Sequence, residues 1–547
     1  MSRVGYTEER ILDRRDAITA TLGLIAADLP VAALSAPAAP RAAPGPVTAA
    51  ERAVGVATVL EGFVPGDVRR YGALGDGQTD DAVAWRTALA TGHRVLGGGP
   101  EHVYCFDSAI PVTRRTFIDL EGATIRPRGE GRGFVRTPPA PSVTSVVSAG
   151  ASPGSRSLTL QSSSGFAPGQ WLRLDLNDAP AHDASSYPPC WTRVTAVHGS
   201  TVELGTPLQV GYGGGELHAL AYQPELFYEH FECCNGTFDG SQGTFDKDTG
   251  QALRIGGCER VVVRNCQFRN FRHGGQLTCA VQLFTNIDAV VSDCAFTGGV
   301  SHFDICDIQT VRFAHFINNQ IQGSHFGCNL TRADFALFAN NALQGERTAE
   351  GAAGIDPPRS VRGLKAYGCA CIRVLGNHCA DYESPIKIEA CFRYDVSHNT
   401  IFNAGLGPDH GQIALNIGSI HAGRNMRLGR IIGNHVETCG GIGIGVTTDP
   451  TGGLVLADNI VRTTQAAGIH VGVPNAIVCG NRVEDWGLRG GSDAAIHVTG
   501  GATVANNRFA HGNSTRVPCL STDGNDARLI VRDNVSESGN PLGVRAS

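Results

Sequence analysis

Asn434-His435-Val436, Asn459-Ile460-Val461, Asn481-Arg482-Val483 and Asn507-Arg508-Phe509 are four copies of one step: an asparagine, a variable residue, then an apolar one. The same step occurs earlier at Asn319-Gln320-Ile321, Asn341-Ala342-Leu343, Asn377-His378-Cys379 and Asn399-Thr400-Ile401, and it fades at Asn534. Upstream, Gly236, Cys266 and Cys294 hold the slot, two residues before Phe238, Phe268 and Phe296. Most slots lie 22 to 28 residues apart, with two long steps of 36 and 35. A fixed period of this length marks a solenoid, in which one repeat cannot bury its apolar face but stacked repeats bury a continuous core. Three short strands and three turns fill such a period. The predicted fold is all-β, a right-handed parallel β-helix. Rungs stack at about 4.8 Å, and an Asn repeated at one turn can form a ladder of amides between rungs.

Composition agrees with this reading. The 547 residues include 70 glycines and only 18% charged residues, as a turn-dense β chain requires. A formal charge of −6 leaves no basic footprint, so nucleic acid is not an expected partner. No apolar run is long enough to span a membrane. The 17 cysteines lack disulfide-framework spacing and fall within predicted strands, where a free thiol packs as a small apolar residue. That usage points to folding in a reducing compartment. Cys369, Cys371, His378 and Cys379 are close in sequence, but strand alternation and a turn would scatter them. Neither a metal nor a cofactor is expected.

The chain divides into four parts. Residues 1–60 read as a helical anchor followed by an Ala/Pro-rich linker, with a twin-arginine export signal at Arg14-Arg15 as the alternative. Residues 61–142 begin the winding and include a capping helix over Asp81–Thr91, N-capped by Thr79 or Asp80. Residues 143–222 alternate as antiparallel strands and read as a small inserted β-subdomain. Its Trp171, Tyr187, Trp191 and Tyr212 are candidate sugar platforms, or the subdomain's own core. Residues 223–547 form the main solenoid.

One stretch resembles a known family. Tyr71–Asp81, Y-G-A-L-G-D-G-Q-T-D-D, followed by a helix, is similar to the opening segment of the pectate-lyase-like β-helix superfamily. That group includes polygalacturonase-like enzymes, mannuronan epimerases and phage tailspike depolymerases. The motif covers residues 67 to 135 and the repeat pattern covers 226 to 535. The resemblance implies a polysaccharide substrate, such as capsule, lipopolysaccharide or a uronate polymer. It also implies a function carried by the outward face of one strand per rung. For a tailspike it further implies a homotrimer in a virion tail, bound to other virion proteins through its N-terminal segment. The alternatives are an enzyme exported to the periplasm or beyond, and a receptor-binding protein without catalysis.

The repeat places these functional strands at 280–283, 303–308, 326–330, 363–367, 385–389, 412–417, 442–446, 468–472 and 495–499. Alternation turns Gln282, Asp304, Lys365, Lys387, Glu389, Asn416, His470 and His497 outward. The long steps come from insertions at 344–362, 403–411 and 418–427, which bracket the rungs of Lys365, Lys387 and Glu389. Insertions on one face of a solenoid wall a binding site. Candidate catalytic residues are therefore Lys387, Glu389, Glu383, Asp304 and Asp307. Candidate substrate-binding residues are Lys365, Asp381, His325, Asp409, His410 and Arg359. Paired carboxyls serve glycoside hydrolysis. A base beside cations serves β-elimination from a uronate. Asp304 and Glu389 should lie three rungs apart, about 14 Å, as alternative sites or adjoining subsites.

Overall fold

The structure is a computed structural model. It describes residues 46–546 apart from 57–58, 61, 130–132, 178–186, 213–215, 244–250, 272–278, 298–303, 325, 346–361, 406–412, 419–427, 448–452, 490–492, 500, 513–517, 524–527 and 543. The expected N-terminal helix lies outside the described residues.

The repeat builds a parallel β-solenoid of about 14 turns. Each strand pairs with its counterpart one turn later. Arg362–Tyr367 pairs with Ser384–Glu389, that strand with Ile413–Gly418, and that one with Ile442–Val446. The parallel register holds to the last rung, where Leu520–Thr522 meets Val544–Ala546. The core is a single column inside the coil. Phe238, Phe268 and Phe296 stack down it, with centroids 5.1 and 4.9 Å apart. All 17 cysteines are free and 15 of them are buried, so the thiols pack as interior apolar groups.

The asparagine ladder is continuous from Asn319 to Asn534. Asn341 Nδ2 donates to Asn377 Oδ1 at 2.8 Å, and the next links, to Asn399, Asn434, Asn459, Asn481, Asn507 and Asn534, are each 2.9 Å. Every Oδ1 also accepts the backbone N–H of the preceding ladder residue, as in Asn399 to Asn434 at 3.0 Å. A buried amide with all its groups paired avoids the desolvation cost of an orphan, about 1–3 kcal/mol each. Cysteines in the slot make only part of this pattern. Cys294 Sγ reaches the Val263 carbonyl at 3.7 Å, as Asn319 Nδ2 reaches that of Val291 at 2.9 Å, but a thiol has one weak donor where an amide has two strong ones.

The residue before each slot is left-handed. Asn318, Asn340, Gly376, His398, Gly433, Asp458, Gly480 and Asn506 have φ between 54° and 67°. Gly, Asn and Asp tolerate that region best, which gives the turn its composition.

Two appendages complete the fold. The helix Ala82–Thr91 closes the N-terminal end, burying Trp85 against Tyr104, Phe106 and Phe134 at 5.4, 5.7 and 5.5 Å. Its N-cap is Asp81, one residue beyond the expected cap. Asp81 turns its carboxylate to the N–H groups of Leu74 and Gly75, while Asp80 accepts from Ala82 N at 3.1 Å. The second appendage is the insert, six antiparallel strands from Val143–Ala149 to Glu216–Tyr222 closed into a barrel. Leu158, Leu172, Leu174, Val202 and Ala219 fill it.

The barrel docks where the long strands Cys306–Ile317 and Phe326–Ala339 bend, at the left-handed Thr310 and Arg332. Asp334 accepts the N–H groups of Cys190 and Trp191 at 2.7 and 2.6 Å. Trp191 Nε1 donates to the Thr310 carbonyl at 3.1 Å, and Arg193 pairs with Glu259 at 2.7 Å. Trp171 and Trp191 are buried with Tyr222, Phe227 and Ile287 in this contact, and Tyr187 stacks on Tyr212 at 5.5 Å. These four aromatics are packing groups in the barrel and its dock, not exposed sugar platforms.

Candidate functional site

Parallel register brings one outward side chain per turn into a row. It runs Gln282, Asp307, Asn329, Lys365, Lys387, Asn416, then Gly445, His470, His497 and Ser521. Two residues further along each strand a second row runs Phe284, Gln309, Thr331, Tyr367, Glu389 and Gly418. The residues between them, such as Ile308, Ala366 and Ile388, are buried in the core, as alternation requires.

One expectation fails here. Alternation along a strand over 303–308 turns Asp304 outward and sends Asp307 inward. The strand instead starts at Cys306, so Asp304 precedes it and alternation does not govern it. Asp307 is the outward residue, paired in register with Gln282 and Asn329. Both aspartates are buried, at 6% and 5% exposure, and they sense each other. Burial first, and then the Asp304 charge, push the Asp307 carboxyl up to about 7 against hydrogen bonds from Asn329, Gln309 and Gln282. Burial also raises Asp304, opposed by Arg362 and Lys365.

The Lys365–Lys387–Glu389 cluster forms as an ion-pair network. Glu389 Oε1 lies 2.9 Å from Lys387 Nζ, and Oε2 lies 3.4 Å from Lys365 Nζ. Burial works against ionising Glu389, but Lys387, Lys365 and Arg362 outweigh it and hold the carboxyl below its usual value. The Lys365 ammonium is pushed down by burial and by Arg362, and it sits 5.1 Å from the Tyr367 ring centroid. Arg362 and Lys365 feel both Asp304 and Glu389. The two clusters are thus adjoining parts of one charged patch, and Arg362 and Asn329 join them.

Three buried atoms here have no hydrogen-bond partner among the described residues: Asp304 Oδ1, Asn329 Oδ1 and Arg362 Nε. Buried polar groups are ordinarily paired, so three orphans on consecutive turns mark a place that a polar ligand would satisfy. Asn329 and Arg362 were missed in the sequence. Asn329 is an ordinary strand residue until its register with Lys365 is known, and Arg362 lies one residue outside the expected strand.

Of the remaining candidates, two are among the described residues. Asp381, at φ 59°, is hydrogen-bonded by Gln344 Nε2 in a turn. Glu383 is half-buried just before Ser384–Glu389. His325, Arg359, Asp409 and His410 lie outside the described residues. Two concavities lie away from the patch. One is lined by Arg94, Phe117, Asp119, Glu232 and Arg264, the other by Arg373, Arg393, Tyr394, Asp395, Leu428 and Arg430. The patch is the candidate site because outward carboxyls, cations and three unpaired buried polar atoms on consecutive turns meet there among the described residues.

A stack of parallel rungs with a charged outward row defines a parallel β-solenoid. The chain is similar in fold to the tailspike gp61 of Pseudomonas phage phi297, at 14% identity over 88% of this chain and 76% of that one, with a TM-score of 0.42. It is similar to the gp54 tailspike of Acinetobacter baumannii bacteriophage AP22, solved in complex with a capsular saccharide, at 11% identity over 92% and 82%, with a TM-score of 0.42. A third similar structure is the A-module of the Azotobacter vinelandii mannuronan C-5 epimerase AlgE6, at 11% identity over 88% and 97%, with a TM-score of 0.28. No protein-family model matches the chain, and curated proteins give no significant match. At these identities no activity passes from those proteins to this one.

Proposed function

We propose that the chain binds a polysaccharide along the outward row and cleaves it by hydrolysis, with Asp307 as general acid and Asp304 as the ionised partner. The observation that carries this reading is the Asp304–Asp307 pair. One carboxyl, lifted to about 7, keeps its proton far above the ordinary carboxylate range, beside a second whose charge helps to lift it. Glycoside hydrolysis needs carboxyls in two different protonation states. Lys365, Lys387 and Arg362 then hold anionic groups of the glycan. Glu389 positions the two lysines and is unsuited to proton transfer, because it is clamped in its ionised form.

A second reading is β-elimination. It is favoured by the depressed Lys365 ammonium, which would serve as base beside Arg362 and Lys387. The two differ in product. Incubation with bacterial surface polysaccharides should release reducing ends without the ultraviolet absorbance of an unsaturated uronate. That absorbance would replace hydrolysis with elimination, and binding without new reducing ends would replace both with a receptor-binding role.

The proposal extends to a homotrimer in a virion tail, with an exported enzyme as the alternative. Half-exposed apolar side chains on the neighbouring sheet, Phe313 and Phe335 in one register row and Val290, Leu337 and Leu375 in others, are what such an assembly would bury. Phe313 and Phe335 stack at 5.3 Å. Mass measurement in solution tests this, and a monomer at micromolar concentration contradicts it.

A further inference from the structure

The outward row does not end at Asn416. Four rungs beyond Lys387 it reaches His497, whose register partner on the next rung is Ser521. Ser521 and Asp523 are two residues apart in one segment, so the extended chain turns both toward the same side. A single histidine on the rung before can therefore reach both. His497 Nδ1 lies 2.8 Å from Ser521 Oγ, and His497 Nε2 lies 3.1 Å from Asp523 Oδ1. The ring is fixed in plane by His470, stacked on it at 4.7 Å with 21° between planes. The ladder needs none of these groups, and none belongs to the charged patch around Lys365.

We propose that Ser521, His497 and Asp523 form a second, ester-cleaving centre on the same face, acting on acyl esters of sugar hydroxyls. A serine hydrogen-bonded to an imidazole that is itself oriented by a carboxylate is the arrangement that activates a hydroxyl as nucleophile. In the first step Ser521 Oγ forms a bond to the acyl carbon while its proton passes to His497 Nδ1. The ester C–O bond then breaks, and the sugar oxygen leaves with that proton. In the second step water adds to the acyl carbon, giving its proton to Nδ1. The acyl–Oγ bond breaks, releasing the carboxylic acid, and Ser521 regains its proton. Asp523 accepts from Nε2–H and stabilises the imidazolium formed in each step. No oxidant, metal or further reactant is needed. The choice of a glycan ester rests on the polysaccharide reading of the row; the triad itself does not.

The test uses the full chain. A fluorophosphonate probe followed by peptide mass spectrometry should place the label on Ser521, and 4-nitrophenyl acetate should be hydrolysed. Ser521→Ala should remove the label, and His497→Gln and Asp523→Asn should slow ester hydrolysis about 100-fold. Circular dichroism and thermal unfolding show whether each variant keeps the fold; Asp523 is exposed, so Asp523→Asn stays informative if a buried variant unfolds. Absence of label on Ser521 in the folded chain, or ester hydrolysis unchanged in folded Asp523→Asn, overturns the proposal. Release of acetate from an O-acetylated bacterial polysaccharide supports the glycan assignment. Hydrolysis of 4-nitrophenyl acetate with no such release overturns that assignment and leaves the triad standing.

Discussion

Asp307 is the residue on which the chemistry turns, because its proton is held by burial and by one neighbouring charge. If the protonated form acts, kcat/KM should fall as pH rises through about 7. Asp304→Asn removes the charge that helps to lift Asp307, so the remaining activity should lose its basic limb at a lower pH. A pH–rate profile checks this, and a limb that does not move would remove Asp304 from the pair. Glu389→Gln should act differently. It releases Lys365 and Lys387 to repel each other, so glycan binding should weaken or reorganise while the pH limb stays in place. Among these residues Lys365, Lys387 and Glu389 were legible from alternation alone. Asp304 was not, because whether it lies in a strand depends on where hydrogen bonding starts, and H-F-D-I-C-D carries no signal for that.

The asparagine ladder is the clearest case of an element written in the sequence. The amide repeats because each rung needs one donor and one acceptor at the same buried corner, so spacing alone revealed it. The left-handed residue before each slot is equally periodic, but Asn, Asp, Gly and His share the task there and no single letter repeats. Asn459→Ala should cost about 3 kcal/mol, because Asn434 N–H loses its acceptor and the Ile431 and Ala457 carbonyls lose a donor. Stability in a solenoid is a sum over neighbouring rungs, so the loss should appear as faster amide hydrogen exchange in the rungs of Asn434 and Asn481. Exchange unchanged in those rungs would mean that strand pairing alone holds the corner.

At the scale of the molecule, the barrel and the solenoid are joined through Asp334. It is buried, and desolvation lifts its carboxyl to about 7 despite two backbone N–H donors. A carboxyl whose folded pKa exceeds its unfolded value, near 3.9, binds its proton more tightly in the folded state. Its contribution to stability is therefore full below about pH 4 and is lost as pH rises towards 7. Asp334→Ala, which strands two buried N–H groups, should loosen the barrel by about 4 kcal/mol. Asp334→Asn should remove this pH dependence, which urea unfolding at several pH values can follow. The antiparallel alternation of the insert was plain in the sequence. Its docking was not, because the partners Cys190 and Asp334 lie in different subdomains and meet only when the coil has wound.

Glycan cleavage at Asp307 is read directly from the chain length of bacterial capsular and uronate polysaccharides after incubation with the protein, by size-exclusion chromatography. Shortening by the unmodified chain that is lost in folded Asp307→Asn is the predicted result. Shortening that persists undiminished in Asp307→Asn would contradict it.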